Sequence, residues 1–320
     1  MPYIPIRGVN HYYEWIGTSD HSQTPEKPVM VFVHGWGGSS RYWESTAQAL
    51  SDTFDCLLYD LRGFGRSCSL ADQQPNSKDQ GANLQQSLEQ TVTTETELLP
   101  AAESSEDLIY ELESYADDLA ALLGALGLNR VYLNAHSMGA SIAVFCLNLY
   151  PQLVERAILT CSGIFEYDEK AFSAFYRFGG YVVKFRPRWL SKIPFANRMF
   201  MARFLHRPLP DAISTAFLED FLLADYQAAL GTIFTSVSKK ATEVMPQEFA
   251  KLTVPTLLVA GEHDIIIPAS MGQQAANLSE KVEFCLIPDT AHFPMMEDPE
   301  TYLQCVKDFI QLKQPSTASN

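Results

Sequence analysis

Six short apolar runs alternate with helix-like stretches along the chain, and this alternation leaves few folds open. Val29–Val33, Phe54–Tyr59, Val131–Asn134, Val154–Thr160, Pro255–Ala260 and Val282–Ile287 have the length and apolar content of buried strands. Arg41–Leu50, Leu108–Leu126, Gly139–Leu149 and Thr301–Leu312 carry apolar residues at helical spacing. The pattern predicts an α/β protein with a mostly parallel, doubly wound sheet and helices on both faces. Ligands of such sheets bind at the carboxyl ends of the strands. The chemistry is therefore sought in the residues that follow each strand.

Two segments break the alternation. Residues at about 68–106 are rich in Gln, Ser, Thr, Asp and Glu, and read as a solvated, partly disordered insertion. Residues 163–248 hold helical patterns and many aromatics but no clear strand, and read as an inserted helical cap. The expected organisation is a core over 1–162 and 249–314, a cap over 163–248, and a disordered tail at 315–320.

Charge follows the same division. The net charge is −15, which argues against nucleic acid as a partner. Residues 67–113 carry ten acids and one base, whereas residues 166–210 carry nine bases and three acids. The six cysteines are scattered without metal-ligand spacing, so reduced thiols are expected. Residues 1–25 show no basic stretch leading into an apolar one, and the run Val29–Val33 is far too short to span a membrane. A cytoplasmic location is the expectation.

The strand ends differ in how much they say. His34-Gly35-Trp36-Gly37-Gly38 follows the first core strand; its glycines allow a tight bend that turns backbone N–H groups outward, but an ordinary glycine-rich turn reads the same way. Asp60-Leu61-Arg62-Gly63-Phe64-Gly65-Arg66-Ser67 follows the second, with Asp60 and Arg62 placed for a local ion pair that braces the loop. Ala135-His136-Ser137-Met138-Gly139 follows the third. Here Ser137 is either a nucleophile on a sharp strand-to-helix elbow or a serine in an ordinary turn. Alanine occupies position 135, where the G-x-S-x-G elbow pattern has glycine. After the last two strands come Asp264, a candidate to orient a histidine with Glu262 a weaker one, and His292 in a loop that could reach back over the sheet.

The order Ser137, Asp264, His292, each after its own strand, resembles the α/β-hydrolase family, in particular its serine-nucleophile, esterase- and lipase-like branch with a helical cap. The resemblance covers about residues 28–160 and 250–312. It implies that His292 takes the Ser137 proton as the hydroxyl attacks an acyl carbonyl, and that Asp264 holds the imidazole in the right tautomer. It also implies an oxyanion hole formed by the backbone N–H groups of Trp36 and Met138. Activity would then rise through a pKa of roughly 6–7, with no metal or organic cofactor. A serine at the elbow separates the chain from the aspartate-nucleophile dehalogenase and epoxide-hydrolase branches.

The expected reaction is cleavage of a carboxylic ester of a hydrophobic or lipid-like substrate. Thioesterase, acyltransferase and carbon–carbon bond hydrolase chemistry use the same residues and stay open, as does a non-catalytic ligand-binding role for the scaffold. His136, Phe165 and Phe293 are the candidate substrate contacts. The aromatics and bases of the cap read either as its own core and solvated face, or as an acyl-chain tunnel with a surface for anionic lipid.

Overall fold

The strands Val29–Val33 and Asp55–Tyr59 are buried at every residue. Parallel strands covered by helices on both faces require this, which is why they read in sequence as unbroken apolar runs. A computed structural model describes residues 3–17, 27–67, 110–165 and 169–311. The expected insertion at 68–106 and the tail at 315–320 lie outside the described residues.

Eight strands form one sheet: β1 (Tyr3–Ile6), β2 (Val9–Ile16), β3 (Val29–Val33), β4 (Asp55–Tyr59), β5 (Val131–His136), β6 (Val154–Thr160), β7 (Thr256–Gly261) and β8 (Val282–Ile287). Their order is β1-β2-β4-β3-β5-β6-β7-β8. β3 to β8 pair in parallel, and β1 and β2 add an antiparallel hairpin at one edge. The hairpin turns on Arg7 and Gly8, at φ 46° and 83°, the two successive positive values that a tight primed turn needs. Arg7 remains anchored there because its guanidinium donates to Ser114 O and Asp118 Oδ1.

One face of the sheet presents Met30, Phe32, Leu58, Ile158 and Val259 to Trp43, Leu50, Tyr302, Val306 and Phe309 of the flanking helices Glu44–Leu50 and Pro299–Gln311 and the turn before them. Helices Leu112–Ala125 and Met138–Leu149 pack together. Between β6 and β7 the described residues contain helices only: Glu169–Lys184, Ala196–Met201, Asp211–Leu223, Tyr226–Ser236 and Lys239–Ala250, with one short 3-10 turn. Trp36 Nε1 donates to Ala229 O at 3.0 Å, Ser39 Oγ to Asp220 Oδ2 at 2.7 Å, and Asp225 N to Gly63 O at 2.8 Å. These bonds tie the helical segment onto the loops that follow β3 and β4.

Two expectations need correction. Asp60 pairs with Arg66, not Arg62: Arg66 Nε reaches Asp60 Oδ2 at 2.8 Å. Arg62 turns instead to Asp118 on the helix Leu112–Ala125, at 2.9 Å and nearly buried on both sides. The six cysteines are not all free, since β8 lies against the helix Pro299–Gln311 and Cys285 and Cys305 are joined as a disulfide. No helix among the described residues is long and apolar enough to cross a membrane.

Candidate active site

β5 ends at a turn whose geometry singles out one residue. Ser137 sits at φ 54°, ψ −123°, a region that side-chain-bearing residues seldom occupy, at the N-cap of the helix Met138–Leu149. Its N–H donates to Thr160 O at 2.9 Å, which holds the turn against β6. Strand and helix approach so closely that a Cβ on Gly139 would lie 2.8 Å from Val33 O and closer still to His34 O. Ala135, fully buried and paired with Val33 and Leu159, is accommodated within the sheet, so the elbow forms without glycine at that position.

The acid and the histidine arrive from the next two strand ends. Asp264 Oδ1 accepts the N–H groups of Ile266 and Ile267 at 2.8 and 3.0 Å. Its Oδ2 lies 2.7 Å from His292 Nδ1, and His292 Nε2 lies 3.0 Å from Ser137 Oγ. A neutral His292 therefore donates from Nδ1 to the carboxylate and accepts the hydroxyl proton at Nε2. Asp264 and His292 are buried, while Ser137 is only half-buried and open to a reactant.

The His292 loop has an organiser that the sequence reading did not identify. Glu297 Oε1 accepts from Ala291 N and Phe293 N, at 2.9 and 3.2 Å, on either side of His292. Its Oε2 accepts from His206 N and Arg207 N at 2.7 and 2.8 Å. His292 N completes the anchoring by donating to Phe204 O. The acid in Met295-Met296-Glu297-Asp298 was the only sequence signal for this role.

Beside Ser137, the backbone N–H groups of Trp36 and Met138 have no hydrogen-bond partner among the described residues. Their loop is held from beneath. His34 donates from Nδ1 to Gly35 O at 2.8 Å and accepts Leu61 N–H at Nε2 at 2.9 Å. Tyr42 Oη accepts the Gly35 N–H and lies 3.0 Å from His136 Nδ1, and His136 Nε2 lies 2.7 Å from His292 O. Burial holds both His34 and His136 below the ordinary histidine pKa, His136 far below, so both are neutral.

This network changes the reading of the expected substrate contacts. His136 is 1 % exposed with both nitrogens engaged, so it braces the site from below and does not meet a substrate. Phe293 is likewise buried, packed against Tyr42, Phe217 and His136. Phe165 stands half-buried beyond β6. In the helical segment Ala196, Leu218, Phe221 and Leu222 form a buried apolar cluster, against which Trp36, Leu190 and Phe200 pack.

Comparison with known proteins identifies the fold. A family model described as the alpha/beta hydrolase fold matches residues 28–299. The chain is 24% identical to the uncharacterized hydrolase YugF of Bacillus subtilis, over 96% of each chain. It is 25% identical to a putative carbamate hydrolase, RutD, of Pseudomonas savastanoi pv. phaseolicola, covering 90% of this chain and 95% of that one. Among solved structures, an esterase from Exiguobacterium antarcticum superposes with a TM-score of 0.70 at 16% identity, covering 96% and 98% of the two chains, a likeness of fold.

Proposed function

The chain belongs to the α/β-hydrolase fold family and is a hydrolase of that fold, and from that premise we propose that it cleaves a carboxylic ester through an acyl-enzyme on Ser137. The observation that carries the proposal is the unbroken path from Asp264 Oδ2 through His292 to Ser137 Oγ, with steps of 2.7 and 3.0 Å. In this reaction Ser137 Oγ bonds to the acyl carbon while His292 Nε2 takes the hydroxyl proton. The carbonyl oxygen gains the negative charge and lies against the N–H groups of Trp36 and Met138. Each such donor contributes about 10²–10³ in rate by serine-protease precedent. The tetrahedral adduct expels the alcohol, which takes the proton from His292. Water then attacks the acyl-enzyme with His292 as base, and the acid leaves with Ser137 restored.

We infer a hydrophobic acyl or alcohol group from the apolar character of the helical segment against which Trp36 packs. We propose a peripheral contact with anionic lipid through the cap surface, where Phe185, Trp189, Phe195 and Met199 are exposed, at 73%, 55%, 66% and 78%. Exposed Lys184, Arg188, Lys192 and Arg198 interleave with them. Exposed aromatics among bases suit an interface of acyl chains and anionic headgroups.

Two measurements test the reading. Hydrolysis of a nitrophenyl ester series from acetate to decanoate should favour the longer chains and vanish in Ser137→Ala. Co-sedimentation at low salt should occur with phosphatidylglycerol vesicles and not with phosphatidylcholine vesicles. A preference for acetate together with indifference to both vesicles would remove the lipid-like substrate. Esterase activity that survives in Ser137→Ala would remove the mechanism.

A further inference from the structure

Outside the machinery described above, His206, His263 and Asp289 bring donor atoms within 4.8 Å of one another at the surface. They come from three segments. His206 lies in the connection between helices Ala196–Met201 and Asp211–Leu223, His263 in the turn after β7, and Asp289 in the turn after β8. His263 Nε2 is 3.9 Å from Asp289 Oδ1 and 3.7 Å from Glu262 Oε2. The imidazoles of His206 and His263 stack with centroids 4.1 Å apart.

The backbones beneath these side chains are fixed. His263 N donates to Thr290 O at 2.8 Å, so the two turns are bonded to each other. Asp289, at φ 54°, donates its N–H to Glu262 Oε2 at 3.0 Å. His206 N is held by Glu297 Oε2, the same carboxylate that spans His292. The three backbones are therefore held in place by these bonds, and binding would order three exposed side chains rather than three loops.

The donor chemistry selects the ligand. Two imidazoles and a carboxylate suit a borderline divalent ion such as Zn²⁺, Co²⁺ or Ni²⁺, whereas Ca²⁺ and Mg²⁺ take oxygen ligands. Tetrahedral bonds of about 2.0–2.1 Å hold donor atoms roughly 3.3 Å apart. The separations here exceed that by an amount that rotation of exposed side chains closes. Arg207 Nη2, 4.0 Å from Asp289 Oδ2, makes only a loose pair for an ion to displace.

A second group, His136, Cys161 and His292, also clusters its donors, but its histidine nitrogens are committed to Tyr42, His292 O, Asp264 and Ser137.

We propose that His206, His263 and Asp289 form a binding site for a divalent transition-metal ion, with Glu262 or water completing four-coordination. The ion takes no part in bond cleavage. It clamps the segment at His206 to the two turns that carry Asp264 and His292, the residue after His263 and the third residue after Asp289.

The test uses the full-length protein stripped of metal and titrated with Co²⁺ by visible absorption and with Zn²⁺ by calorimetry. Wild type, His206→Ala, His263→Ala and Asp289→Asn are compared with Asp308→Asn, an exposed acid on the helix Pro299–Gln311. Melting without metal checks that each variant folds. The expected result is one ion per chain, with the intense visible band of four-coordinate Co²⁺, in wild type and Asp308→Asn. Each histidine variant should lose more affinity than the roughly 10–100-fold that follows loss of an outer-shell partner. Zn²⁺ should raise the melting temperature of wild type and Asp308→Asn but not of the histidine variants. Absence of binding, or the same affinity and stoichiometry in His206→Ala and His263→Ala, would overturn the proposal, as would binding abolished by Cys161→Ala but kept in those two variants.

Discussion

Tyr42 Oη lies 3.0 Å from His136 Nδ1 and at the same time accepts the N–H of Gly35. The proton order follows. The hydroxyl gives its only proton to His136 Nδ1, and His136 gives its Nε2 proton to His292 O. One buried chain thus couples the loop that carries Trp36 to the backbone of the histidine that faces Ser137.

Replacing Tyr42 by Phe removes the middle of that chain and leaves the Gly35 N–H and His136 Nδ1 buried without partners. The expected cost is about 1–3 kcal/mol of stability. Catalysis should suffer mainly in kcat, because Tyr42 holds the loop of Trp36 and the ring of His136 beneath the site rather than the exposed surface where a substrate arrives. Urea unfolding paired with steady-state kinetics checks both. A stability loss with kcat unchanged would reduce Tyr42 to a packing residue.

Acid should destabilise the fold through its buried histidines. Burial lowers the pKa values of His11, His34 and His136 below the ordinary value of about 6.5. The unfolded chain then binds more protons than the native one below that pH, so stability is full above about 6.5 and falls as the medium becomes more acid. Each histidine can contribute up to about 1.4 kcal/mol per pH unit. Asp118 and Asp220, whose carboxyls burial raises, work in the opposite sense and moderate the fall. Denaturant midpoints measured from about pH 7.5 down to about pH 5 should decrease. A flat profile would contradict neutral, buried imidazoles.

Positions 135 and 139 should respond in opposite ways. Gly139→Ala places a methyl against the carbonyls of Val33 and His34, which are main-chain atoms and cannot swing aside. A loss of at least about 1–3 kcal/mol and of most activity is expected. Ala135→Gly introduces the glycine of the elbow pattern and should retain activity, at a strand cost of about 0.5–1 kcal/mol. Melting curves and ester hydrolysis of the two variants make the comparison. Equal behaviour would mean that strand and helix are not as close as described.

The exchange of ion-pair partners after β4 is measurable by double-mutant cycles. Arg62 and Asp118, nearly buried on both sides, should couple strongly, and removing either alone should cost about 3–5 kcal/mol. Arg62 and Asp60 should show no coupling. The reverse pattern would restore the pairing expected from their spacing.

Most parallel strands were readable in sequence because burial on both faces imposes an apolar run on them, and β8, the partly exposed edge strand, was readable from its remaining apolar residues despite Glu283. Ser137, Asp264 and His292 were readable because each follows such a strand. β1 and β2 were not, since an edge hairpin mixing Tyr, His and Glu with apolar residues gives no strong period. Asp60 has arginines two and six residues away, and spacing alone does not reveal which folds back onto it. His136 was expected to meet substrate. Successive strand residues point to opposite faces, however, and its ring lies beneath the turn. Glu297 acts on the backbone of His206 and Arg207, and Tyr42 on the ring of His136, partners distant in sequence that no local pattern records.

The central claim is that Ser137 is the nucleophile. Its most direct test is intact mass and peptide mapping after reaction with a fluorophosphonate, in wild type, Ser137→Ala and Asp264→Asn. One adduct per chain at Ser137 is expected, absent in Ser137→Ala and slowed in Asp264→Asn by up to about 10⁴, following serine-protease precedent. No adduct, or an adduct on another residue that persists in Ser137→Ala, would contradict the account.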